Sequence, residues 1–339
     1  MSRAHPRPGP TGHDPRGAAA VALTDRLGRR PIRTAGQHRA QQVRGPRLRL
    51  LSLGAGVQSS VVPLLACHEA IPRFDAAVFA DTGWEPQPVY EHLARLRAYA
   101  ERHGIHVLPV SAGNIRADVL DPEHRFVSLP LHVLNPDGTK GLARRQCTSE
   151  YKIKPLKAAA RRLLGYPHPQ RVPPGVYAQQ TIGISTDEFH RAKDSDVAYL
   201  RNVFPLIELN WTRTDRQNYL TDNGFANTPK SACTGCPCHS NAAWRHLRDT
   251  DPTAWEQAIA FDTAIRHGHP RATHARHPPR GQYYLHRSRQ PLDQVELDLP
   301  AARHRPSAAE HRPEPESEPP GCSPWSGRGD DQPTSRRAA

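Results

Sequence analysis

An alternation of apolar segments and amphipathic segments, beginning near residue 48, constrains the fold of this chain most strongly. The pattern predicts, in order, a strand at 48–53, a helix at 58–70, a strand at 75–80, a helix at 87–103 and a strand at 105–110. Strands that alternate with helices of this length are typical of crossover connections. The predicted fold class is therefore α/β, with a doubly wound parallel sheet and helices on both of its faces.

The composition separates a folded middle from two polar ends. Apolar residues make up 37% of the chain, and there are 35 prolines, a combination that indicates a core flanked by segments unable to fold alone. We expect disordered tails at 1–46 and 299–339. Between them we expect an α/β domain at 47–210 and a smaller helical, cysteine-bearing region at 211–298.

The positive charge of the chain is concentrated at its beginning. The net charge is +13, and residues 1–50 hold eleven arginines against two aspartates. Such an arm either binds nucleic-acid phosphates without sequence preference or is a disordered leader. The chain has no run of 18 apolar residues and no apolar segment at the N-terminus, so we expect no membrane span, no secretory signal and a cytoplasmic location.

A turn of small residues follows the first predicted strand. Gly54, Ala55 and Gly56 allow a ligand to approach the backbone closely, and N–H groups at the start of the next helix can bind phosphate. Ser59 and Ser60 add hydroxyl donors. No Gly-Lys-Ser/Thr follows, so this is not a Walker A motif. A tight strand–helix turn without a ligand has the same pattern.

Polar residues also follow the second predicted strand. In open α/β sheets, ligands lie at the carboxyl ends of strands. Asp81 and Thr82 occupy such an end. They either contact a ribose or the edge of a base, or they form an ordinary turn with Thr82 as a helix cap.

A strand predicted at 177–184 ends in a similar way. Gly183 lies at its end, and Asp187 and Glu188 follow, with Arg191 behind them. The two carboxylates and the nearby cation predict a substrate site, or alternatively a helix start capped by Ser or Thr with an acidic residue.

A basic segment surrounds the second cysteine of the chain. Arg144 and Arg145 precede Cys147, and Lys152 follows it. Arginine suits bidentate contacts with phosphate or sulfate. The alternative is a solvated basic surface around a buried thiol.

Three cysteines form a C-x-x-C-x-C pattern at Cys233, Cys236 and Cys238. Thiolates at this spacing indicate a shared metal, an iron–sulfur cluster or a redox pair. Zinc held by these three and His239 is one alternative. Four ligands within seven residues leave little freedom for a tetrahedron, so the distant Cys147 is the easier fourth ligand.

In their order along the chain, these segments resemble the phosphoadenosine phosphosulfate (PAPS) reductase-like family of the adenine nucleotide alpha-hydrolase (PP-loop) superfamily. The segment 54–59 resembles the PP-loop, and 79–83 the family's second-strand segment. The segments 147–156, 183–188 and 205–215 resemble its CC-x-x-x-K-x-x-P-L, Gly-Ile/Leu-Arg-x-x-Glu and P-L-x-x-W-T-x-x-D stretches. Cys233 and Cys236 lie where iron–sulfur reductases keep their CxxC.

The resemblance implies an adenine nucleotide, either ATP or a sulfonucleotide, bound over the PP-loop of the 47–210 domain. It also implies a [4Fe–4S] cluster whose matching positions are Cys147, Cys233 and Cys236, with Cys238 as a candidate fourth ligand. On this basis the phosphates contact the loop from Gly54 to Ser60, including Gln58. Arg144, Arg145, Lys152 and Arg191 hold anionic groups.

The chain departs from the family at three places, one of which is Gln146-Cys147 where the family has a Cys-Cys pair. Gln58 stands where ATP-cleaving relatives have Asp, and the reductases' Glu-Cys-Gly-Leu/Ile-His motif has no counterpart, since Cys322 lies in Gly-Cys-Ser-Pro. We therefore expect an enzyme either of sulfonucleotide reduction or of sulfur transfer to a nucleic acid, supplied by an electron or sulfur donor protein. The alternative is a non-catalytic, zinc- and nucleotide-binding module that acts on DNA or RNA.

Overall fold

The central sheet is built from strands whose apolar residues fill both of its faces. The computed structural model describes residues 45–125, 127–269 and 281–298, and the expectations for 1–44 and 299–339 lie outside these ranges. The strands are β1 Leu48–Leu53, β2 Ala76–Asp81, β3 His106–Ser111, β4 His132–Leu134, β5 Lys140–Leu142, β6 Ala178–Ile182, β7 Leu200–Val203 and β8 Gln282–Tyr284. Five of them form a parallel sheet in the order β3-β2-β1-β6-β7. The parallel α/β sheet predicted from the sequence is confirmed.

Helices cover this sheet and extend beyond it. They are α1 Val57–Cys67, α2 Gln87–Arg102, α3 Ile115–Leu120, α4 Lys154–Leu163, α5 Pro205–Glu208, α6 Arg213–Asp222, α7 Asn241–Thr250 and α8 Pro252–Ala264. A π-helical turn, Thr148–Ile153, runs directly into α4, and 3-10 turns lie at Thr186–Arg191 and Leu292–Gln294. No helix in the described ranges combines the length and the apolar character needed to cross a membrane.

Side chains alternate along the strands, and this alternation assigns the helices to the two faces. Leu51 and Phe79 belong to a buried cluster with residues of α1, α2 and α6. Their neighbours Leu50 and Val78 face the other side, where residues of α4 cover them. Because successive side chains of a strand point to opposite faces, β1 and β2 present apolar side chains to both sides of the sheet. The doubly wound arrangement follows from this pattern.

A second, smaller sheet is antiparallel and has the order β5-β4-β8. Residues 121–145 lack a clear hydrophobic period and hold Pro, Asn-Pro and Asp-Gly signals, which predict a loop. That prediction is wrong for β4 and β5. Strands of three residues are too short to show a period of two, and β4 is completed by β8, which lies far away along the chain. This sheet lies beside the cysteine segment, where His132 Nε2 is 3.3 Å from the carbonyl oxygen of Pro237.

The helical region after residue 211 contributes to two different cores. Leu220 and Phe225 pack in the cluster formed by α1, α2 and the sheet. Trp244 and Phe261, from α7 and α8, instead form a second cluster with residues from the ends of β2 and α3. This second cluster contains the cysteines, and it brings them to the same end of the sheet as the small-residue turn after β1.

Candidate functional site

The strand order places the small-residue turn at a topological switch point. β1 lies between β2 and β6, so the chain leaves β1 toward one side of the sheet and returns on the other. A crevice at the carboxyl ends of two such strands is the usual ligand site of open α/β sheets. The turn after β1 and the segment after β6 meet there, because a Cβ on Gly183 would lie 2.7 Å from the Gln58 carbonyl oxygen. Only glycine fits at position 183 at this distance.

The turn itself has a constrained backbone. Ala55 is fully buried and has a φ of +52°, in the left-handed region that favours glycine. The N–H groups of Gly54 and Gly56 donate to Ser59 Oγ, at 3.1 and 3.2 Å. The loop is therefore closed over the Ser59 hydroxyl, and its N–H groups converge on one acceptor. A phosphate oxygen can replace that acceptor, because anions bind to N–H groups at the start of a helix.

Replacing Ala55 with glycine tests this strain. We expect Ala55→Gly to raise the free energy of unfolding by about 0.5–1 kcal/mol, because glycine adopts a positive φ without the steric cost. Ala160→Gly, in the regular helix α4, should lower it by about 0.5–1 kcal/mol. Urea denaturation measures both. A loss of stability in both variants would show that position 55 is not strained.

Gln58 and the segment after β6 form a polar network at the mouth of the turn. The Gln58 side-chain amide donates to Glu188 Oε2, and Glu188 Oε1 lies 2.5 Å from Arg191 Nη1. The Arg191 side chain is only 8% exposed. Nearby, Asp187 accepts hydrogen bonds from Ser185 Oγ and the buried Arg216, at 3.3 and 3.4 Å.

Ser60 does not face the mouth of the turn. Its hydroxyl is buried and lies 2.8 Å from His92 Nε2 of α2. Burial, helped by the charge of Arg95, lowers the pKa of His92 to about 4. The imidazole is therefore neutral at neutral pH, and the pair joins α1 to α2 within the core.

The end of β2 is held by a set of hydrogen bonds. Asp81 Oδ1 accepts from the Gly83 N–H at 2.8 Å and from the Tyr90 hydroxyl at 2.9 Å. Burial raises the pKa of that hydroxyl, so Tyr90 stays protonated and donates. Thr82, which is 1% exposed, points instead toward the cysteines, with its Oγ1 3.1 Å from Glu85 Oε1 and 3.3 Å from Cys233 Sγ.

The structure gathers the four predicted cysteine ligands around one cluster. Cys233 and Cys236 are buried members of the cluster that contains Trp84 and Phe261, and Cys147 and Cys238 pack against it. Cys147 directly precedes the π-helical turn, a rare element that is frequent at functional sites. Four cysteines from two distant segments thus contact the same apolar core. In the part of the chain that the structure describes, no three Cys, His, Asp or Glu side chains form a group that could hold a single metal ion.

The cysteine segment is fixed to the end of β2 through Trp84. The Trp84 carbonyl accepts from the Thr234 N–H at 2.8 Å, and its ring lies against Gly235, where a Cβ would come within 2.2 Å of it. His239 follows the cysteines and is 3.0 Å from the Cys233 carbonyl through its Nε2. Burial lowers the pKa of His239 to about 4, so this imidazole is neutral.

A buried ion pair lies next to Cys233. Lys152 Nζ is 3.5 Å from Glu85 Oε1, and the two side chains are 7% and 1% exposed. The same carboxylate oxygen lies 3.7 Å from Cys233 Sγ. The sequence analysis did not identify Glu85 as a site residue. It predicted that Lys152 binds an external anion, whereas in the structure Lys152 contacts the carboxylate of Glu85. Arg144 and Arg145, which were also predicted to hold an anion, lie between β5 and the π-helical turn. Arg144 is exposed, and Arg145 is half-buried.

The turn after β1 and the cysteine segment touch each other. A Cβ on Gly56 would lie 3.1 Å from Ser231 Cβ and 3.2 Å from the Ser231 backbone nitrogen. Ser231 is two residues before Cys233. The loop of Gly54–Gly56 therefore contacts the segment that carries the cysteines.

Comparison with known proteins leaves the assignment at the level of fold. No protein-family model matches the chain, and no curated protein matches it. A search of solved structures found similarity to a phosphoadenylyl-sulfate (PAPS) reductase from Candida auris in a phosphate complex. The TM-score is 0.31 and the identity 15%, over 57% of this chain and 79% of the reductase. The assignment to the α/β class rests on the strand order and on the helices that cover both faces.

Proposed function

We propose that this chain is a PAPS reductase-like, nucleotide-binding enzyme of sulfur chemistry that carries an iron–sulfur cluster. The proposal rests on one contact. The small-residue turn after β1, which is placed as a phosphate-binding loop at the switch point, touches the segment with three cysteines. In the proposed reaction, the loop would hold the nucleotide while the cysteine segment acts on the sulfur of the same substrate. The sequence resemblance supports the choice of family, and the contact between Gly56 and Ser231 supports the nearness of the two segments.

An adenine nucleotide, either ATP or a sulfonucleotide, is the proposed ligand of the loop. Its phosphates would contact the N–H groups of Gly54 and Gly56 and the side chains of Gln58 and Ser59, since these converge at the start of α1. Gly183 allows the next strand to close the crevice. Asp81 would contact the nucleoside, whereas the contacts of Thr82 and Lys152 favour a role beside the cysteines.

The cysteine set fits an iron–sulfur cluster by its donor chemistry. Cys147, Cys233 and Cys236, with Cys238 as the candidate fourth, are thiols around one apolar cluster, and Thr82 Oγ1 lies within hydrogen-bond distance of Cys233 Sγ. Hydrogen bonds and burial of this kind tune the potential of a bound cluster. When bound, the cluster would supply electrons or an iron site for sulfur. The chain's own residues would hold the thiolates and exclude water.

Two reactions remain within this class. One is the reduction of a sulfonucleotide, with an electron donor protein, and the other is sulfur transfer to a nucleic acid, with a sulfur donor protein. The basic arm at 1–46 favours a nucleic-acid partner, and its residues 1–44 lie outside the described ranges. Incubation with each substrate class, followed by assays for sulfite and for thiolated nucleic acid, separates them.

Metal content tests the proposal directly. After anaerobic purification we expect about four iron and four sulfide per chain, with broad absorbance near 400 nm. Cys147→Ser, Cys233→Ser and Cys236→Ser should each lose most of the iron, because each removes a thiolate ligand. The matched control is Cys67→Ser, since Cys67 packs against the other core and burial raises its pKa to about 11.

The same measurement identifies the alternative. One zinc per chain without sulfide would support the zinc- and nucleotide-binding module, in which Cys233, Cys236, Cys238 and His239 are the ligands. An equal loss of iron in Cys67→Ser would show that the iron is not held by the predicted cysteines.

A further inference from the structure

The Glu188 side chain occupies a position between the two groups best placed to bind an external anion. Its Oε2 accepts from the Gln58 amide, at the first turn of α1, and its Oε1 lies 2.5 Å from Arg191 Nη1. A carboxylate held by an amide donor and a guanidinium makes the contacts that a phosphate group would make. Glu188 is thus bound to the mouth of the PP-loop as an anion of the chain itself.

The unpaired nitrogen atoms of the Arg191 guanidinium are a second, independent observation that points to a ligand at this position. Its side chain is more than nine-tenths buried, and its Nε and Nη2 atoms have no hydrogen-bond partner among the described residues. Buried donors without partners cost about 1–3 kcal/mol each, so they are retained where something else binds them. Glu188 uses only the Nη1 atom of this guanidinium. A phosphate has more acceptor oxygens than a carboxylate and can satisfy the remaining donors.

The Glu188 side chain has a path to solvent, which its partner Arg191 lacks. Glu188 has non-helical angles, φ −124° and ψ 23°, which kink the turn Thr186–Arg191 at this residue. Its side chain is 26% exposed, so a path to solvent is open, whereas Arg191 is fixed in the interior. Rotation about the side-chain torsions of Glu188 would move the carboxylate outward and leave Gln58 and Arg191 in place.

We propose that Glu188 is an internal competitor that an incoming phosphate group must displace from Gln58 and Arg191. This inference rests on the proposed nucleotide site, and it names the phosphate or pyrophosphate group as the part of the ligand that Glu188 excludes. Two negative groups cannot share these donors, because like charges at this distance repel. Binding of the nucleotide therefore moves Glu188, and the segment after β6 reports whether the loop is occupied.

Calorimetric titration of the full-length protein with inorganic pyrophosphate tests the proposal. If Glu188 occupies the donors in about nine molecules of ten, its removal should tighten binding about tenfold. Glu188→Gln removes the charge and preserves the shape, and Glu188→Ala removes both. Both should bind pyrophosphate more tightly than the unmodified protein. The control is Glu101→Gln, which changes the net charge equally at the far end of α2, where Glu101 pairs with Arg97.

The outcomes separate this inference from the proposed function. Binding that is tighter in both Glu188 variants and unchanged in Glu101→Gln supports the competitor. Unchanged or weaker binding in the Glu188 variants, when the unmodified protein binds pyrophosphate and ATP, overturns the competitor and leaves the nucleotide site intact. Equal tightening in Glu101→Gln also overturns it, because net charge would then explain the result. If pyrophosphate binds neither to the unmodified protein nor to any of the variants, both proposals are overturned.

Discussion

Lys152→Met should lower the free energy of unfolding by about 3–5 kcal/mol, because it leaves a buried carboxylate without its cation. Lys152 Nζ lies 3.5 Å from Glu85 Oε1, and the two side chains are 7% and 1% exposed. Water cannot replace the ammonium at that burial, and the Thr82 hydroxyl, 3.1 Å from the same oxygen, supplies only a neutral hydrogen bond. Chemical denaturation followed by circular dichroism measures the loss.

Lys154→Met is the matched control for this prediction. Lys154 is two residues further along and pairs with Glu150 at 2.7 Å, but its side chain is 59% exposed. Exposed pairs contribute little, so the expected loss is below about 1 kcal/mol. The double variant Glu85→Gln/Lys152→Met should recover much of the stability, since it removes both charges. Equal losses in Lys152→Met and Lys154→Met would refute the view that burial makes the pair costly to break.

The central sheet could be predicted because its signals are local. The strand at 48–53 and the helix at 87–103 are present almost as predicted, as β1 and α2. Each of these segments shows its own hydrophobic period. The strand β7 was missed, because Arg201 and Asn202 interrupt its apolar character at the edge of the sheet. An edge strand is held by backbone hydrogen bonds to one neighbour, and its sequence need not be apolar.

The details of the site depended on orientation, which a motif does not show. Ser59 and Ser60 are adjacent hydroxyls, but neighbouring helix positions point about 100° apart. The structure accordingly places Ser59 at the loop and Ser60 against His92.

Glu85 was missed for a related reason, since an acidic residue after a turn is usually exposed. The sequence signal that could have indicated a partner such as Glu85 is Lys152, which has apolar neighbours in the segment that carries Cys147.

The assembly of the cysteines could be predicted only in part. The C-x-x-C-x-C spacing and the match at Cys147 predict shared ligands, which stays a prediction; in the structure Cys233 and Cys236 belong to one apolar cluster, and Cys147 and Cys238 pack against it. The role of Gly235 could not be predicted, because the Trp84 ring that lies against it belongs to a distant segment. Close packing between distant segments does not alter the hydrophobic period of either segment, so the sequence does not reveal it.

Gly183→Ala should weaken nucleotide binding about tenfold or more and destabilise the fold by about 1–3 kcal/mol. The added Cβ would lie 2.7 Å from the Gln58 carbonyl oxygen and 3.0 Å from Ser59 Cα. Both contacts are with backbone, which cannot swing aside as a side chain can. The strand β6 or the start of α1 must shift, and the N–H groups of Gly54 and Gly56 would then no longer converge. Titration with ATP and with inorganic pyrophosphate measures the loss of binding.

The control for this substitution is Gly141→Ala in β5. There the added Cβ would be 3.5 Å from Val133 Cβ, an ordinary van der Waals contact, and the backbone has no positive φ. This variant should bind nucleotide as the unmodified protein does. If Gly183→Ala also binds normally while it loses stability, the crevice at the switch point is a packing contact and the nucleotide lies elsewhere. A selective loss of binding at position 183 would instead place the phosphates between β1 and β6, where the strand order predicts a ligand.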